Sequence, residues 1–467
     1  MRAPNRWYTV QFLLVAALTT GCTDFLDVHP VNDVDESQAI TTPASARAAV
    51  AGMYDALQDF SYYGGELVFF GDLSGDDVQH VGTFTTYRQL DQNDITSDNG
   101  SVEGFWDGLY KAVGRANTVI LRIPGVPGLT PAERDQMLGE AHFIRALTYH
   151  NLVKFWGDTA PGSLGVPIVL IPPPDIPSTA LVTRATSGAV YAQILSDLSA
   201  AESLMTNAKG PTRASIMGVR AIRARVFLYQ KNWAGAETEA QAVAAGGYTL
   251  DPTYGHLFTA GGDPTVEDIF RLSFDAVDYC WEGYYYRHSD AEFGGRMEIA
   301  PTDSLIAAYD PSYNGDPTTY NPVDLRGQWN ITFQDPTDGT TGYGSKWPTG
   351  IGAEDMHVIR LAEVLLIQAE AEARQNKLVE AEATLTPIRT RAGLPAAGLD
   401  TMSQANAILA ILQERRLELA MEGDRWPDLV RTGRAVGLMG IAAFQTLYPI
   451  PLNELDVAPG LVQNPGY

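Results

Sequence analysis

The chain has 467 residues, enough to bury a large core, and its two cysteines, Cys22 and Cys280, are too few for a disulfide framework. Acidic residues outnumber basic ones by 56 to 32, a formal charge of −24. That balance opposes nucleic acid, anionic lipid headgroups and polyanions as partners, and suits a neutral or cationic ligand.

Taken in order, the chain opens with Arg2 and Arg6, an apolar run from Phe12 to Leu18, and Thr19-Thr20-Gly21 directly before Cys22. A charged start, a short apolar run and small residues predict a secretory signal peptide over residues 1–21, too short for a stable membrane span. Gly21-Cys22 resembles the bacterial lipobox, in which the cysteine is acylated and becomes the first residue after cleavage. Thr19 stands where such boxes prefer Leu, and Leu18 lies one place away. The alternative is an ordinary secretory cut near Gly21 that leaves the Cys22 thiol free. No later stretch reaches roughly eighteen apolar residues, so the expectation is a protein held on a membrane by its lipid and not spanning it. Residues 22–41, with acids, Pro30 and few apolar groups, read as anchor and flexible tether.

A single domain over 42–467 is expected to follow. Thr42 can cap a helix and Pro43 fits its first turn, with apolar residues recurring through Tyr54 and Leu57. Helical spacing returns from Val102 to Ile120, making a first pair within 43–120 around an irregular insertion at 60–101. Met137–Leu152 and Ser187–Leu204 make a second pair within 137–204. The clearest unit is 213–245: Ala224 and Phe227 in one helix, a Lys231-Asn232-Trp233 turn, then Ala236 and Ala240 lining the next. This spacing resembles the tetratricopeptide repeat, whose small residues let paired helices approach closely. Residues 361–393 repeat it, with Leu365 and Ala369 before Leu378, Ala381, Leu385 and Ile388.

About four helix pairs exceed the roughly three that a repeat stack needs. The expected fold is mainly α, a tetratricopeptide-like helical repeat scaffold with an irregular loop-rich subdomain containing short strands. That subdomain draws on 60–101 and 248–355, stretches of a length that usually serves function. Within it Ile269–Phe274 alternates, predicting a strand with Phe270, Leu272 and Phe274 on one face and Arg271 and Ser273 on the other; elsewhere only short hairpins are expected. In the last region, 403–467, a helix from about Ser403 to Met421 stops at Gly423. A second starts at Asp424 with Pro427 in its first turn, and an extended tail follows.

The segment Glu414-Arg415-Arg416-Leu417-Glu418-Leu419-Ala420-Met421-Glu422-Gly423-Asp424-Arg425-Trp426, then Asp428-Leu429-Val430-Arg431, Tyr448-Pro449-Ile450-Pro451 and Gln463-Asn464-Pro465-Gly466-Tyr467, resembles the C-terminal signature of the SusD/RagB family. Gly139-Glu140-Ala141 through Tyr149, Arg223-Ala224-Arg225 and Arg389-Thr390-Arg391-Ala392-Gly393-Leu394-Pro395 extend the likeness over essentially the whole mature chain; Pro427 departs from it, standing where an aromatic is common. The resemblance implies an outer-membrane lipoprotein, lipid-anchored and facing outward. It also implies non-catalytic capture of a nutrient, most often an oligosaccharide, for a SusC-like TonB-dependent transporter. A lid for peptide or another nutrient, or a structural partner of the transporter, is the alternative.

A sugar offers flat C–H faces ringed by hydroxyls, so its site needs aromatic planes flanked by polar groups. The loops supply three candidate sets. Tyr62, Tyr63, Asp76, Asp77, Phe84, Tyr87, Arg88 and Asn99 form the first; Tyr279, Trp281, Tyr284 and Tyr286 the second; Trp329 and Trp347 the third. If Tyr284–Tyr286 is extended, Tyr284 and Tyr286 share a face and Tyr285 points away. Each ring could instead anchor its loop on the helices, and Trp106, Trp156, Trp233 and Trp426 are assigned to packing.

No nucleophile elbow, zinc-binding His-Glu-x-x-His, phosphate loop or dinucleotide motif occurs, and acids are too abundant for any carboxylate pair to mark a hydrolase. His142 and His150 lie two turns apart on one helix, too far to share a metal. Asp91–Gly100 reads as a solvated turn and not a calcium loop, so no cofactor or metal is expected.

Overall fold

The computed structural model describes residues 39–172, 181–205, 210–259, 265–275, 277–287, 295–333, 342–348 and 352–467. The signal segment, Cys22 and the tether as far as residue 38 lie outside the described residues.

Helix α1 (Pro43–Gln58) starts where its capping chemistry dictates: Thr42 Oγ1 accepts the Ser45 N–H at 3.1 Å while Ser45 Oγ accepts the Thr42 N–H at 3.0 Å. An insertion carrying α2 (Glu66–Leu73), strand β1 (Val78–His80) and α3 (Thr85–Asp91) separates it from its partner α4 (Gly100–Arg122). Helix α5 (Pro131–Trp156), opened by a Thr130–Glu133 capping box, pairs with α6 (Ser187–Leu204), and α7 (Ile216–Tyr229) pairs with α8 (Trp233–Ala244).

The irregular layer follows, with β2 (Asp268–Leu272), α9 (Glu282–Tyr286), β3 (Ile299–Pro301), α10 (Asp303–Tyr309), α11 (Gly327–Asn330), β4 (Ile331–Thr332), β5 (Tyr343–Gly344) and β6 (Met356–Arg360). The last pair is α12 (Leu361–Arg374) with α13 (Leu378–Arg391). Helices α14 (Gln404–Glu418), α15 (Arg425–Arg431), α16 (Ala435–Met439) and α17 (Leu452–Val457) complete the chain.

The expected helix pairs form, and they stack on one another: α4 lies on α5, α6 on α7, α8 on α12 and α12 on α14. Fully buried Ala221, Ala224, Ala236, Ala240, Ala369 and Ala381 sit at these seams, where the absence of bulk lets backbones close in.

The strands depart from the local-hairpin expectation. Among the described residues only β4 and β5 pair locally, whereas β1 pairs with β3 and β2 with β6, all antiparallel. The pairing stitches the first insertion and the last repeat to the long loop. Strand β2 is buried on both faces, so Arg271 is not on a polar side but enclosed, its guanidinium 2.5 Å from Asp355. The tail is extended at Tyr448–Pro451 and Gln463–Tyr467, with α17 between these stretches.

The C-terminal signature is a buried ionic joint between these layers. Arg360, at the end of β6, reaches Glu267 at 2.8 Å, Glu418 at 2.7 Å and Glu422 at 2.7 Å. Arg326 reaches Glu414 at 2.5 Å and Glu418 at 3.0 Å, and Lys346 reaches Glu422 at 2.5 Å. Buried charges survive only with such multiple partners, and the carboxylates of α14 thereby bind the loop layer to the helices.

Candidate functional site

Burial divides the candidate residues. Tyr62 and Tyr63 are inside, their hydroxyls both accepting from Asn151 Nδ2, at 2.8 and 3.0 Å, which welds their loop to α5. Tyr87 and Tyr286 are also enclosed, and the Tyr286 hydroxyl donates to Asp72 at 2.6 Å. Trp347 is fully buried, its indole N–H donating to the Met421 carbonyl at 3.2 Å. These rings have no face left for a ligand, so they are structural anchors.

The polar candidates of the first set are likewise committed. Asp76 accepts two bonds from Arg425, at 2.6 and 2.9 Å, and Asp77 accepts from Arg416 at 2.5 Å. Asn99 caps α4, its oxygen accepting from the N–H groups of Ser101 and Val102.

What remains at the surface is contiguous. Tyr279 is 43 % exposed, and Phe60, Phe84, Trp281 and Tyr284 are half-buried. Ring centroids run from Tyr279 to Trp281 at 5.7 Å, from Trp281 to Tyr284 at 5.5 Å and from Trp281 to Phe60 at 5.8 Å, each near edge-to-face. Tyr285 lies beneath, 5.5 Å from Tyr284 and 6.2 Å from Phe84. The expected extended Tyr284–Tyr286 is corrected here: the segment is the helix α9, in which successive side chains turn by about 100°. Tyr284 therefore faces out, Tyr285 lies across the cluster, and Tyr286 points into the core.

Glu298 fixes the polar edge of this platform. Its carboxylate accepts from the backbone N–H of Thr83 at 2.8 Å and of Phe84 at 3.2 Å, and from Arg296 Nε at 2.5 Å. Burial pushes Glu298 up, but the bonds from Arg296, Phe84 and Thr83 outweigh it and hold the carboxyl below its ordinary range. Arg296 in turn lies 4.2 Å over the Phe84 ring, and Arg88 projects into solvent one turn along α3. Burial pushes the Tyr285 hydroxyl up to about 12 and keeps it a neutral donor.

Trp329 is 44 % exposed but stands apart: its ring lies over Gly255, and no ring contact joins it to the platform among the described residues. Among the described residues no group of His, Cys, Asp or Glu is placed to hold a metal, and no helix is long and apolar enough to cross a membrane. A half-exposed sheet of rings edged by the Arg296 guanidinium can stack on a flat apolar face and donate to its hydroxyls.

Two sequence models meet on this chain. One, of the SusD family, matches residues 316–442; the other, described as starch-binding associating with outer membrane, matches residues 24–228. The chain belongs to the SusD family. SusD-like protein P38 of Formosa agariphila is 25 % identical, over 98 % of this chain and 99 % of that one. Among solved structures, a laminarin-binding SusD-like protein is 25 % identical with a TM-score of 0.77, covering 91 % of this chain and 100 % of its own. A SusD superfamily protein from Bacteroides thetaiotaomicron, 23 % identical with a TM-score of 0.78, has the same fold over 91 % of this chain and 100 % of its own. The family description carries glycan binding and outer-membrane association at the level of the family.

Within this SusD-family fold, sequence reading missed Phe60, Arg296 and Glu298, and turned Tyr285 away from the rings that it lies beneath. Phe60 was legible as the first aromatic after α1, next to Tyr62 and Tyr63. Arg296 and Glu298 carried no local signal, because they reach the platform through backbone bonds to the Tyr284 and Tyr285 carbonyls and through the neighbouring pairing of β1 with β3.

Proposed function

We propose that this protein captures an oligosaccharide at the outer-membrane surface, without catalysing a reaction on it, and passes it to a SusC-like TonB-dependent transporter. The contiguous half-exposed platform of Tyr279, Trp281, Tyr284, Phe60 and Phe84 carries the reading. Rings at these angles present an uneven apolar floor on which sugar faces stack, while Arg88 and Arg296 supply donors to hydroxyls. An acidic body of charge −24 disfavours sulfated or phosphorylated polymers and leaves neutral glycans as the favoured class. Acylation of Cys22 would hold the body at the membrane, and the acidic tether would give it reach.

A glycan array probed with the mature protein tests this. Neutral oligosaccharides should be retained and peptides should not; retention of peptides alone would transfer the platform to peptide capture.

A further inference from the structure

A small polar chamber, of which ligand stacking makes no use, lies where α5, α7, β6 and α12 meet the turn that leads into α15. Its volume is about 20 Å³, room for a single water, and Tyr63, Lys154, Arg225, Glu363, Gly423 and Asp424 are among its walls. Most of the charges that line it are answered within the protein. Arg225 donates to Glu363 at 2.7 Å and to the Val358 carbonyl at 2.7 Å. Arg360 reaches Glu418 and Glu422, both at 2.7 Å, and the His357 ring lies 2.6 Å from Asp268. Lys154 on α5 and Asp424 before α15 are the exceptions. Lys154 is 8 % exposed, yet among the described residues neither its ammonium nor the Asp424 carboxylate has a hydrogen-bond or ion-pair partner. A buried ammonium is tolerated only when its protons find acceptors.

The turn is built to deliver Asp424 to this place. Gly423 has φ +81°, and a Cβ there would meet the Val68 backbone, so the chain passes close under α2 in a conformation that favours glycine. Asp424 then stands at the N-cap of α15, but its side chain makes no capping bond. Its carboxylate is thus not spent on the helix that it precedes. Burial pulls Lys154 down to about 8 against the attraction of Asp424. Burial, with Glu363 adding to it, pushes Asp424 up to about 6 against Arg225, Arg415 and Lys154, so both groups are charged at neutral pH.

We propose that the chamber is a built site for one ordered water, which accepts from the Lys154 ammonium, donates to the Asp424 carboxylate and so joins the two as a solvent-separated ion pair. The charge balance selects water over an ion. Lys154, Arg225 and Arg360 face Glu363, Glu422 and Asp424, three charges of each sign, so an anion or a metal cation would leave one uncompensated. A water supplies the acceptor and the donor that the pair lacks and leaves the balance intact. It thereby ties α5 of the helical stack to the turn in the C-terminal signature, beside the ionic joint of α14.

The test is a crystal structure of the mature protein together with a second crystal soaked in sodium bromide. One density peak should stand within hydrogen-bond distance of both Lys154 Nζ and the Asp424 carboxylate, with no anomalous signal from bromide. A bromide signal at that point would make it an anion site, and a direct Lys154–Asp424 contact or an empty chamber would leave no bridge; each of these overturns the proposal. Thermal melts read the coupling. Lys154→Met and Asp424→Asn should each lower Tm by several degrees, and the double variant by less than the sum of the two. Additive losses would show that no bridge links the two groups. Lys154→Gln keeps a donor and should keep the peak, which holds the test open if Lys154→Met does not fold.

Discussion

Trp281 and Trp347 are the same residue type in the same irregular layer, yet one is half-buried among exposed rings and the other fully enclosed under Phe258 and Met421. Their substitutions should therefore fail in different ways. Trp281→Ala should weaken oligosaccharide binding about tenfold, close to 1.4 kcal/mol, with little change in melting temperature. Trp347→Ala should cost about 3–5 kcal/mol of stability, through the cavity and the lost N–H bond, while the protein that remains folded binds normally. Parallel isotherms and thermal melts separate the two outcomes. At this scale the sequence was half-legible: it named the loop aromatics, but composition alone could not separate Tyr279, Trp281 and Tyr284 from Tyr62, Tyr63 and Tyr286. That division depends on which way a helix turns its side chains, and α9 was not foreseen.

Elements carry a different lesson. The helix pairs were legible because their signals are local: Thr42 caps where it stands and alanines at repeat spacing mark the seams, although α5 starts on Thr130, ahead of the expected Met137. Strand partners were not legible, because β1–β3 and β2–β6 join segments far apart in sequence and rest on pairing that no short window displays. The ionic joint of α14 and α15 is the second long-range feature, and it makes these elements sensitive to acid. Burial would push Glu422 and Asp428 up, but Arg360 and Lys346 on the first, and Arg415 and Arg431 on the second, outweigh it and hold both at about 2. A carboxyl depressed on folding stabilises above its unfolded value and loses that contribution as pH falls through its folded one. Each should contribute on the order of 2–3 kcal/mol that disappears between about pH 5 and pH 2. Urea unfolding across that range should show the fall, and Glu422→Gln should reduce the slope.

For the whole molecule, the helical stack and the irregular layer divide the labour. The stack supplies a rigid back, built from buried alanines and long helices; the layer supplies exposed rings clamped at Gly64 and Gly352. The ionic joint fixes one on the other, so the rings stand on a rigid body and not on a free loop. The proposed ligand surface is the rings of Tyr279, Trp281 and Tyr284. Calorimetric titration of the mature protein and of its Y279A/W281A/Y284A variant with an array-positive neutral oligosaccharide tests it most directly. The wild type should give a binding isotherm and the variant none, with both melting within a few degrees of each other. A folded variant that binds as tightly as the wild type would contradict it.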